Sequence, residues 1–154
     1  MEEKITIYTD GGARGNPGPA GIGAIIQISN LKSQNEEKIS KYIGTATNNQ
    51  AEYRAVIEAL KWIKENLIQP KTTSAVVSNR LGIECFLDSE LIVEQLNQRY
   101  KIKNEGLKPL FWEIRDLVMA LGGKVTFKYI PREQNQEADK LVNLALDKEA
   151  KKSN

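Results

Sequence analysis

The sequence predicts an α/β domain with a mixed sheet, and two features of the chain support this class. Apolar and polar residues alternate in the first part of the chain, beginning with Ile5 to Asp10, and this is the period of a strand. Farther on, amphipathic helical repeats alternate with short apolar runs. Strands followed by alternating helices and strands indicate one sheet with antiparallel and parallel pairs. A chain of 154 residues with 40% apolar content supports one core, so we expect a single domain over residues 1–147 and a polar C-terminal tail over residues 148–154.

The first three predicted strands form an antiparallel meander. They cover about residues 4–10, 21–29 and 37–46, and polar residues join the second to the third. A helix is expected next, over about residues 49–66, because Ala51, Ala55 and Ala59 begin a stripe of small and apolar residues at helical spacing. Pro70 ends this helix.

The second half of the chain begins with a stretch, residues 71–82, that has no readable pattern. A strand ending at Leu87 follows, and Gly122-Gly123 marks a break farther on. The remaining predicted elements are helices over about residues 90–98, 107–121 and 135–146 and a strand over about residues 124–130. These elements complete the alternation of helices and strands.

The composition excludes several kinds of active site. The chain has no histidine and one cysteine, so a Ser-His-Asp triad, a Cys-His dyad, a histidine general base and the usual zinc sites cannot form. Chemistry must come from carboxylates, hydroxyls, amines or a hard metal ion. Mg²⁺ and Mn²⁺ prefer oxygen ligands, so the composition favours ions of that kind.

Apolar context decides how three notable side chains are interpreted. Cys85 lies in the run Ile83 to Leu87, which predicts a buried structural thiol rather than a reactive one. Trp62 and Trp112 lie on predicted helices among apolar neighbours, so we expect them to pack in the core rather than to stack on bases.

Charge and hydropathy give weaker indications. The chain has neither a charged and then apolar leader nor a long apolar run, so we expect no secretion signal, no membrane span and a cytoplasmic protein. The formal net charge of +2 is too small to identify a nucleic-acid binder. A cluster of cations around Tyr100 is either a basic binding face or a solvated charged surface. Its members are Arg99, Lys101, Lys103 and Lys108.

The most informative segment runs from Tyr8 to Gly21, where a predicted strand carrying Asp10 opens into a glycine-rich turn. Gly11, Gly12 and Gly15 are expected to adopt positive φ and to let a ligand approach the bare backbone. The alternative is a hairpin turn that happens to contain an acidic residue.

Three further acids occupy comparable positions. Glu52 lies in the first turn of its predicted helix on the apolar side, so it should face the sheet, and Asp139 should repeat this arrangement on the last helix. An inward acid is costly unless a cation or another partner compensates it. The alternatives are helix capping or an arginine salt bridge for these two acids, and ordinary capping for Asp88, which precedes Ser89 at a strand-to-helix junction. Together with Asp10, the three acids indicate one convergent cluster that needs cations.

Four short segments of the chain form an ordered set. They are Thr9 to Gly21, Thr47 to Glu52, Leu87 to Ile92 and Asn135 to Leu141. In order and spacing they resemble the four motifs of the type 1 ribonuclease H family, from about residue 4 to residue 147. The resemblance implies the ribonuclease H-like fold, with five strands in the order 3-2-1-4-5 and helices on both faces of the sheet.

The resemblance also implies an activity, the hydrolysis of the RNA strand of RNA·DNA hybrids. Asp10, Glu52, Asp88 and Asp139 match the family's catalytic acids and would hold two Mg²⁺ ions, for which Mn²⁺ can substitute. One ion would lower the pKa of the attacking water and the other would stabilise the departing 3′ oxygen. The products would carry 5′-phosphate and 3′-hydroxyl ends.

Substrate contacts follow from the same resemblance. Glu52 would also hydrogen-bond an RNA 2′-hydroxyl, which is the group that distinguishes RNA from DNA. The other implied contact residues are Gly11, Gly12, Ala13, Arg14, Gly15, Asn16, Thr47, Asn48 and Glu90. Contacts to sugars and phosphates predict cleavage that is nearly independent of base sequence.

The chain departs from the family pattern in two places. Many relatives carry a loop histidine before the last aspartate; here Arg132 or Glu133 is the only stand-in, and a surface salt bridge is the alternative role for either. We count Arg132 among the substrate-binding candidates. Some relatives insert a basic helical protrusion that grips the DNA strand, and the segment Arg99 to Lys108 is shorter than that.

The sequence leaves two other functions open. One is a nuclease of the same fold that cuts double-stranded RNA or junctions, and the other is a hybrid-binding protein without turnover. The presence of all four carboxylates favours catalysis over binding alone. We expect a monomer, because the chain has no long heptad pattern and no apolar stripe that would support assembly.

Overall fold

In a computed structural model of the protein, residues 3–29, 33–68 and 81–152 are described, and a five-stranded sheet of order β3-β2-β1-β4-β5 lies at its centre. The first three strands pair antiparallel, and β4 pairs parallel with both β1 and β5. The strands are β1 (Glu3–Ala13), β2 (Gly18–Ser29), β3 (Gln34–Ala46), β4 (Leu81–Leu87) and β5 (Val125–Tyr129). The α/β class, the meander and the strand order are thereby confirmed.

Within the described ranges, four α-helices and one short 3-10 turn accompany these strands. They are α1 (Asn48–Leu67), α2 (Glu90–Leu96), α3 (Lys108–Ala120), the 3-10 turn Arg132–Gln134 and α4 (Gln136–Lys152). The last helix runs six residues beyond its predicted end, so residues 148–152 of the predicted polar tail are helical. Pro70 and most of the stretch 71–82 lie outside the described residues.

The main core lies on one face of the sheet, under α1, α2 and α3. Ile5 and Ile7 of β1 are fully buried there with Leu60 and Ile63 of α1. Cys85 of β4 is part of the same core, so the predicted buried thiol is confirmed. Helix α4 covers the opposite face, where it packs on β1, β2 and β3. The sheet is therefore covered by helices on both of its faces.

The two tryptophans differ. Trp62 is partly buried and packs against the core, as predicted. Trp112 is 63% exposed, so the prediction that it packs in the core is wrong. It lies two residues before the buried Ile114, which places it about 200° away around the helix, and the run of apolar residues there covers more than one face of α3.

The glycine-rich segment is more regular than predicted. Strand β1 continues through Gly11 and Gly12 to Ala13, and these residues pair with β2. Gly15 has a positive φ of 99°, but Gly11 and Gly12 do not adopt positive φ, so that prediction is wrong for both. Gly11 is required for a different reason: a Cβ there would lie 2.3 Å from the carbonyl carbon and oxygen of Ala51. The missing side chain lets α1 approach β1.

Helix α4 approaches β2 in the same way. A Cβ on Gly23 would lie 2.3 Å from the carbonyl oxygen of Ala138 and 2.8 Å from the Leu141 side chain. Gly23 is the partner of Asp10 in the β1–β2 ladder. Two close backbone contacts therefore place the beginnings of α1 and α4 beside the same strand end.

No helix in the three described ranges is long and apolar enough to cross a membrane.

Candidate active site

Asp10 and Asp88 meet because both lie just beyond the end of the parallel pairing between β1 and β4. The last paired residues of β1 and β4 are Tyr8 and Phe86, whose rings stack with centroids 5.3 Å apart. Asp10 and Asp88 lie two residues beyond this pair, so both carboxylates occur at the same edge of the sheet. The N–H of Gly11 donates to Oδ1 of Asp10 at 2.9 Å and fixes its carboxylate.

Glu52 reaches this edge from helix α1. Thr47 caps the helix through a capping box in which its hydroxyl accepts from the N–H of Gln50, and the Gln50 side chain accepts from the N–H of Thr47. The helix therefore begins at a fixed residue, and Glu52 follows in its first turns on the side that packs against β1. One carboxylate oxygen from each of Asp10, Glu52 and Asp88 lies within 4.8 Å of the other two. The predicted convergence is confirmed for these three acids.

Burial and mutual repulsion raise the pKa of two of these carboxyl groups. The pKa of Asp10 is raised from 3.8 to about 8, first by burial and then by the charges of Asp88, Glu52 and Asp139. Burial and Asp88 raise the pKa of Glu52 from 4.5 to about 7, and Ser89 and Arg132 partly oppose this. A divalent cation among the oxygens would cancel the repulsion and restore the ionised forms.

Asp139 occupies a different environment from the other three acids. It is exposed on α4, so the prediction that it faces inward like Glu52 is wrong. The buried stripe of α4 passes through Ala138 and Val142, and Asp139 lies about 100° around the helix from Ala138. Its charge still contributes to the raised pKa of Asp10. Asp139 is therefore near the cluster, at its solvent side.

Capping does not account for the acids at the helix starts. The cap of α2 is Ser89, whose hydroxyl accepts from the N–H of Ile92, and Thr47 caps α1. The carboxylate of Asp88 instead accepts a hydrogen bond from the side chain of Asn135 at 3.0 Å. Capping, which was the alternative role for Asp88 and one of two alternatives for Glu52, is therefore carried by Ser89 and Thr47 instead.

The hairpin turn between β1 and β2 is tied to two helices. Oδ1 of Asn16 accepts from the N–H of Asn48, and Oδ1 of Asn48 accepts from the N–H of Ala13. Arg14 pairs with Asp147 of α4 at 2.6 Å. These contacts set the turn beside the start of α1, next to Glu52. The turn residues predicted to touch substrate therefore form one surface with the carboxylates.

The remaining predicted site residues lie at the rim. Glu90 is the first residue of α2 and is exposed, and Arg132 is exposed on the 3-10 turn, close enough to lower the pKa of Glu52. One residue was missed as a site residue: Asn135, buried between β1, Asp88 and α4. The sequence feature that could have identified Asn135 is its position in the fourth motif, directly before a predicted helix.

The cationic cluster around Tyr100 is partly neutralised. Arg99 pairs with Glu94 at 2.6 Å and Lys108 pairs with Glu105 at 2.7 Å. Tyr100 and Trp112 line a surface groove of about 300 Å³. The groove combines exposed rings with three cations, Arg99, Lys101 and Lys108, and two of these three already have acidic partners.

The acidic cluster fits a hard divalent cation. All of its side-chain donors are carboxylate oxygens, and they come from a strand, a strand end and a helix that are packed together. The raised pKa values of Asp10 and Glu52 come first from burial and then from the neighbouring like charges, and a bound cation would oppose both effects.

Comparisons with known proteins find related sequences over most of the chain. A family model described as Reverse transcriptase-like matches residues 8–145. Ribonuclease H of Ruthia magnifica is 32% identical over 159 residues, which cover 94% of this chain and 97% of that protein. A bifunctional protein of Mycobacterium tuberculosis is 36% identical over 144 residues, 94% of this chain, but the chain spans only 36% of that relative's length.

A solved structure is similar over the whole fold. LC11-RNase H1, isolated from compost by a metagenomic approach, is 44% identical, with a TM-score of 0.79 over 96% of this chain and 98% of that chain. A crystal structure of the same protein in complex with an RNA/DNA hybrid is 42% identical over 95% of this chain and 99% of that chain, with a TM-score of 0.77.

Proposed function

The chain belongs to the ribonuclease H family as a type 1 member, and from this premise we propose that it is an endoribonuclease that hydrolyses the RNA strand of RNA·DNA hybrids. One observation carries the proposal: Asp10, Glu52 and Asp88, from three separate elements, bring carboxylate oxygens within 4.8 Å of one another at an open sheet edge. The hybrid bound to LC11-RNase H1 supports the substrate class.

Four carboxylates are the proposed ligands of two Mg²⁺ ions, with Mn²⁺ as a substitute. Asp10, Glu52 and Asp88 form the inner set, and Asp139 completes it from the solvent side. When bound, the ions lower the pKa of the attacking water and stabilise the departing 3′ oxygen, so that the products carry 5′-phosphate and 3′-hydroxyl ends.

The protein's own groups select and orient the substrate. Glu52 lies beside the hairpin turn, where its carboxylate can accept a hydrogen bond from an RNA 2′-hydroxyl that DNA lacks. The backbone from Gly11 to Gly15, at the end of β1 and in the turn after it, lies with Asn16 along the same surface and contacts the minor groove. Contacts of this kind read sugars and phosphates, so cleavage is nearly independent of base sequence.

The start of α1 is the proposed site for a phosphate of the DNA strand. Thr47 uses a lone pair to cap the helix, which leaves its hydroxyl proton for a phosphate oxygen. Asn48 accepts from Ala13 through Oδ1, and this orients its Nδ2 group as a donor. Arg14, Glu90 and Arg132 border the site and provide further polar contacts to the hybrid.

The test is a cleavage panel. The purified chain is incubated with a labelled RNA·DNA hybrid, a matched RNA duplex and a matched DNA duplex, each in Mg²⁺, in Mn²⁺ and in EDTA. We expect cutting of the hybrid's RNA strand alone, and only with metal. Cutting of the RNA duplex as well would indicate the broader nuclease, and tight binding without cutting in either metal would indicate a hybrid-binding protein.

A matched pair of variants links the activity to the cluster. Asp10→Asn removes one proposed ligand, whereas Asp116→Asn makes the same chemical change on the exposed side of α3. The proposal requires that the first variant lose cleavage and that the second retain it.

A further inference from the structure

We propose that Asn135 is a positioning residue, which holds the Asp88 carboxylate against the end of β1 and thereby sets the affinity of the acidic cluster for a divalent cation. This inference rests on the proposed function, since it assumes that Asp88 is a metal ligand.

The side chain of Asn135 bridges two strands. It is 2% exposed, and its Nδ2 group donates to the backbone oxygen of Thr9 at 2.9 Å and to Oδ2 of Asp88 at 3.0 Å. Thr9 directly precedes Asp10. The two protons of one amide are thus shared between the strand that carries Asp10 and the carboxylate of Asp88.

The orientation of this amide is determined by its partners. If it were rotated so that Oδ1 took the place of Nδ2, an oxygen would face a carbonyl oxygen and a carboxylate oxygen, with no proton between them. As it stands, Oδ1 has no hydrogen-bond partner among the described residues. The side chain is therefore held by its donor end alone.

Helix capping does not explain this side chain. Asn135 directly precedes α4, where an asparagine normally accepts a backbone N–H of the first helical turn. Its Oδ1 accepts none from the described part of the chain, and the side chain points toward the sheet edge instead.

The backbone of Asn135 extends the connection to the fourth acid. Its N–H donates to the carbonyl of Arg132 at 3.0 Å, and its own carbonyl accepts the N–H of Asp139 at 3.2 Å. Asn135 is therefore hydrogen-bonded to the side chain of Asp88 and to the backbone of Asp139. It is also hydrogen-bonded to the backbone of Thr9, which directly precedes Asp10.

A neutral amide suits this task. A lysine or arginine at this position would neutralise Asp88 and compete with the cation. The amide instead holds Oδ2 of Asp88 and leaves the second oxygen for a metal ion. Hydrogen-bond partners of metal ligands typically contribute about 10–100-fold to metal affinity.

The test measures Mn²⁺ binding by calorimetry, without substrate, in the wild type and in Asn135→Ala. Asn135→Ser is the second variant, because serine keeps the helix-start preference but is too short to reach both acceptors. Asn97→Ala is the matched control: Asn97 donates through Nδ2 to the backbone oxygen of Phe127 at 3.0 Å, and this side-chain bond goes to none of the four acids. Steady-state cleavage of the hybrid and thermal unfolding are measured in parallel.

We expect both Asn135 variants to bind Mn²⁺ about 10-fold or more weakly, with the KM for the hybrid changed less than about twofold. Asn97→Ala should keep the wild-type isotherm. A wild-type isotherm in either folded Asn135 variant would overturn the inference, and so would failure of both variants to fold, because Asn135 would then serve the fold rather than Asp88. Failure of the wild type to cut the hybrid while it binds Mn²⁺ would refute the proposed function alone.

Discussion

The substitution Gly11→Ala tests how the active site is assembled. The added Cβ would lie 2.3 Å from the carbonyl carbon and oxygen of Ala51 and 2.6 Å from the N–H nitrogen of Glu52, which are backbone atoms that cannot rotate away. Ordinary van der Waals contact begins at 3.4 Å, so α1 must retreat from β1 by about 1 Å. Glu52 would move with the helix, away from Asp10 and Asp88.

Two effects of this shift can be estimated. Overpacking of a tight core contact costs about 1–3 kcal/mol of unfolding free energy. Displacement of a catalytic group by about 1 Å lowers the rate by about 10²-fold. Urea unfolding measures the first effect, and hybrid cleavage in Mg²⁺ at saturating substrate measures the second. Because the carboxylate of Glu52 would lie farther from those of Asp10 and Asp88, the affinity for Mn²⁺ should also fall.

Gly12→Ala is the matched control for folding and metal binding. It adds the same methyl group to the next residue of β1, where the nearest atoms, Oδ1 of Asn48 and Cγ1 of Val142, are 3.9 Å away. Its unfolding free energy and Mn²⁺ affinity should stay close to those of the wild type. If Gly11→Ala matched it in both measurements, the close contact of α1 with β1 would not be what places Glu52.

Three other predictions follow from the electrostatics and the surface. Asp10→Asn should reduce hybrid cleavage to background, yet raise the melting temperature of the metal-free protein by roughly 2–4 °C per kcal/mol of relieved repulsion; a lower melting temperature in EDTA would contradict this. Between pH 3.8 and about 8, the folded metal-free protein holds a proton on Asp10 that the unfolded chain has released, so the free energy of unfolding in EDTA should fall as pH rises, while Mn²⁺ affinity rises. Denaturation at pH 5 and pH 8 checks this sign, and greater stability at pH 8 would refute it. Trp112→Ala should change the unfolding free energy by no more than about 0.5 kcal/mol, whereas Trp62→Ala should cost about 2 kcal/mol or more; equal losses in urea unfolding would place Trp112 in the core after all.

Much of the active site could be predicted from short-range sequence patterns. Asp10 and Asp88 could be predicted because each ends an apolar run with the period of a strand. Glu52 could be predicted to face inward because it lies on the apolar side of α1. These signals depend only on neighbours in sequence, so the chain reveals them directly. The strand order, in contrast, came from the resemblance between its motifs and a known family.

The predictions were wrong where the same short-range sequence pattern is compatible with more than one position in the folded structure. Asp139 lies at the border of the buried stripe of α4, and spacing alone did not show on which side of that border it falls. Trp112 belongs to an apolar run that wraps around α3, so apolar neighbours did not imply burial. Gly11 and Gly12 resembled a turn, but pairing with β2 extends the strand through both.

By itself, the sequence determined the fold class, the carboxylates available for chemistry and the absence of histidine chemistry, because composition and short-range periodicity are properties of the chain. The tertiary structure alone decided that three of the carboxylates come within 4.8 Å of one another and that Asp139 stays at the solvent side. It alone also showed that Asn135 donates to Thr9, 126 residues earlier in the chain. Contacts over such separations depend on how strands and helices pack, and short-range pattern does not encode that packing.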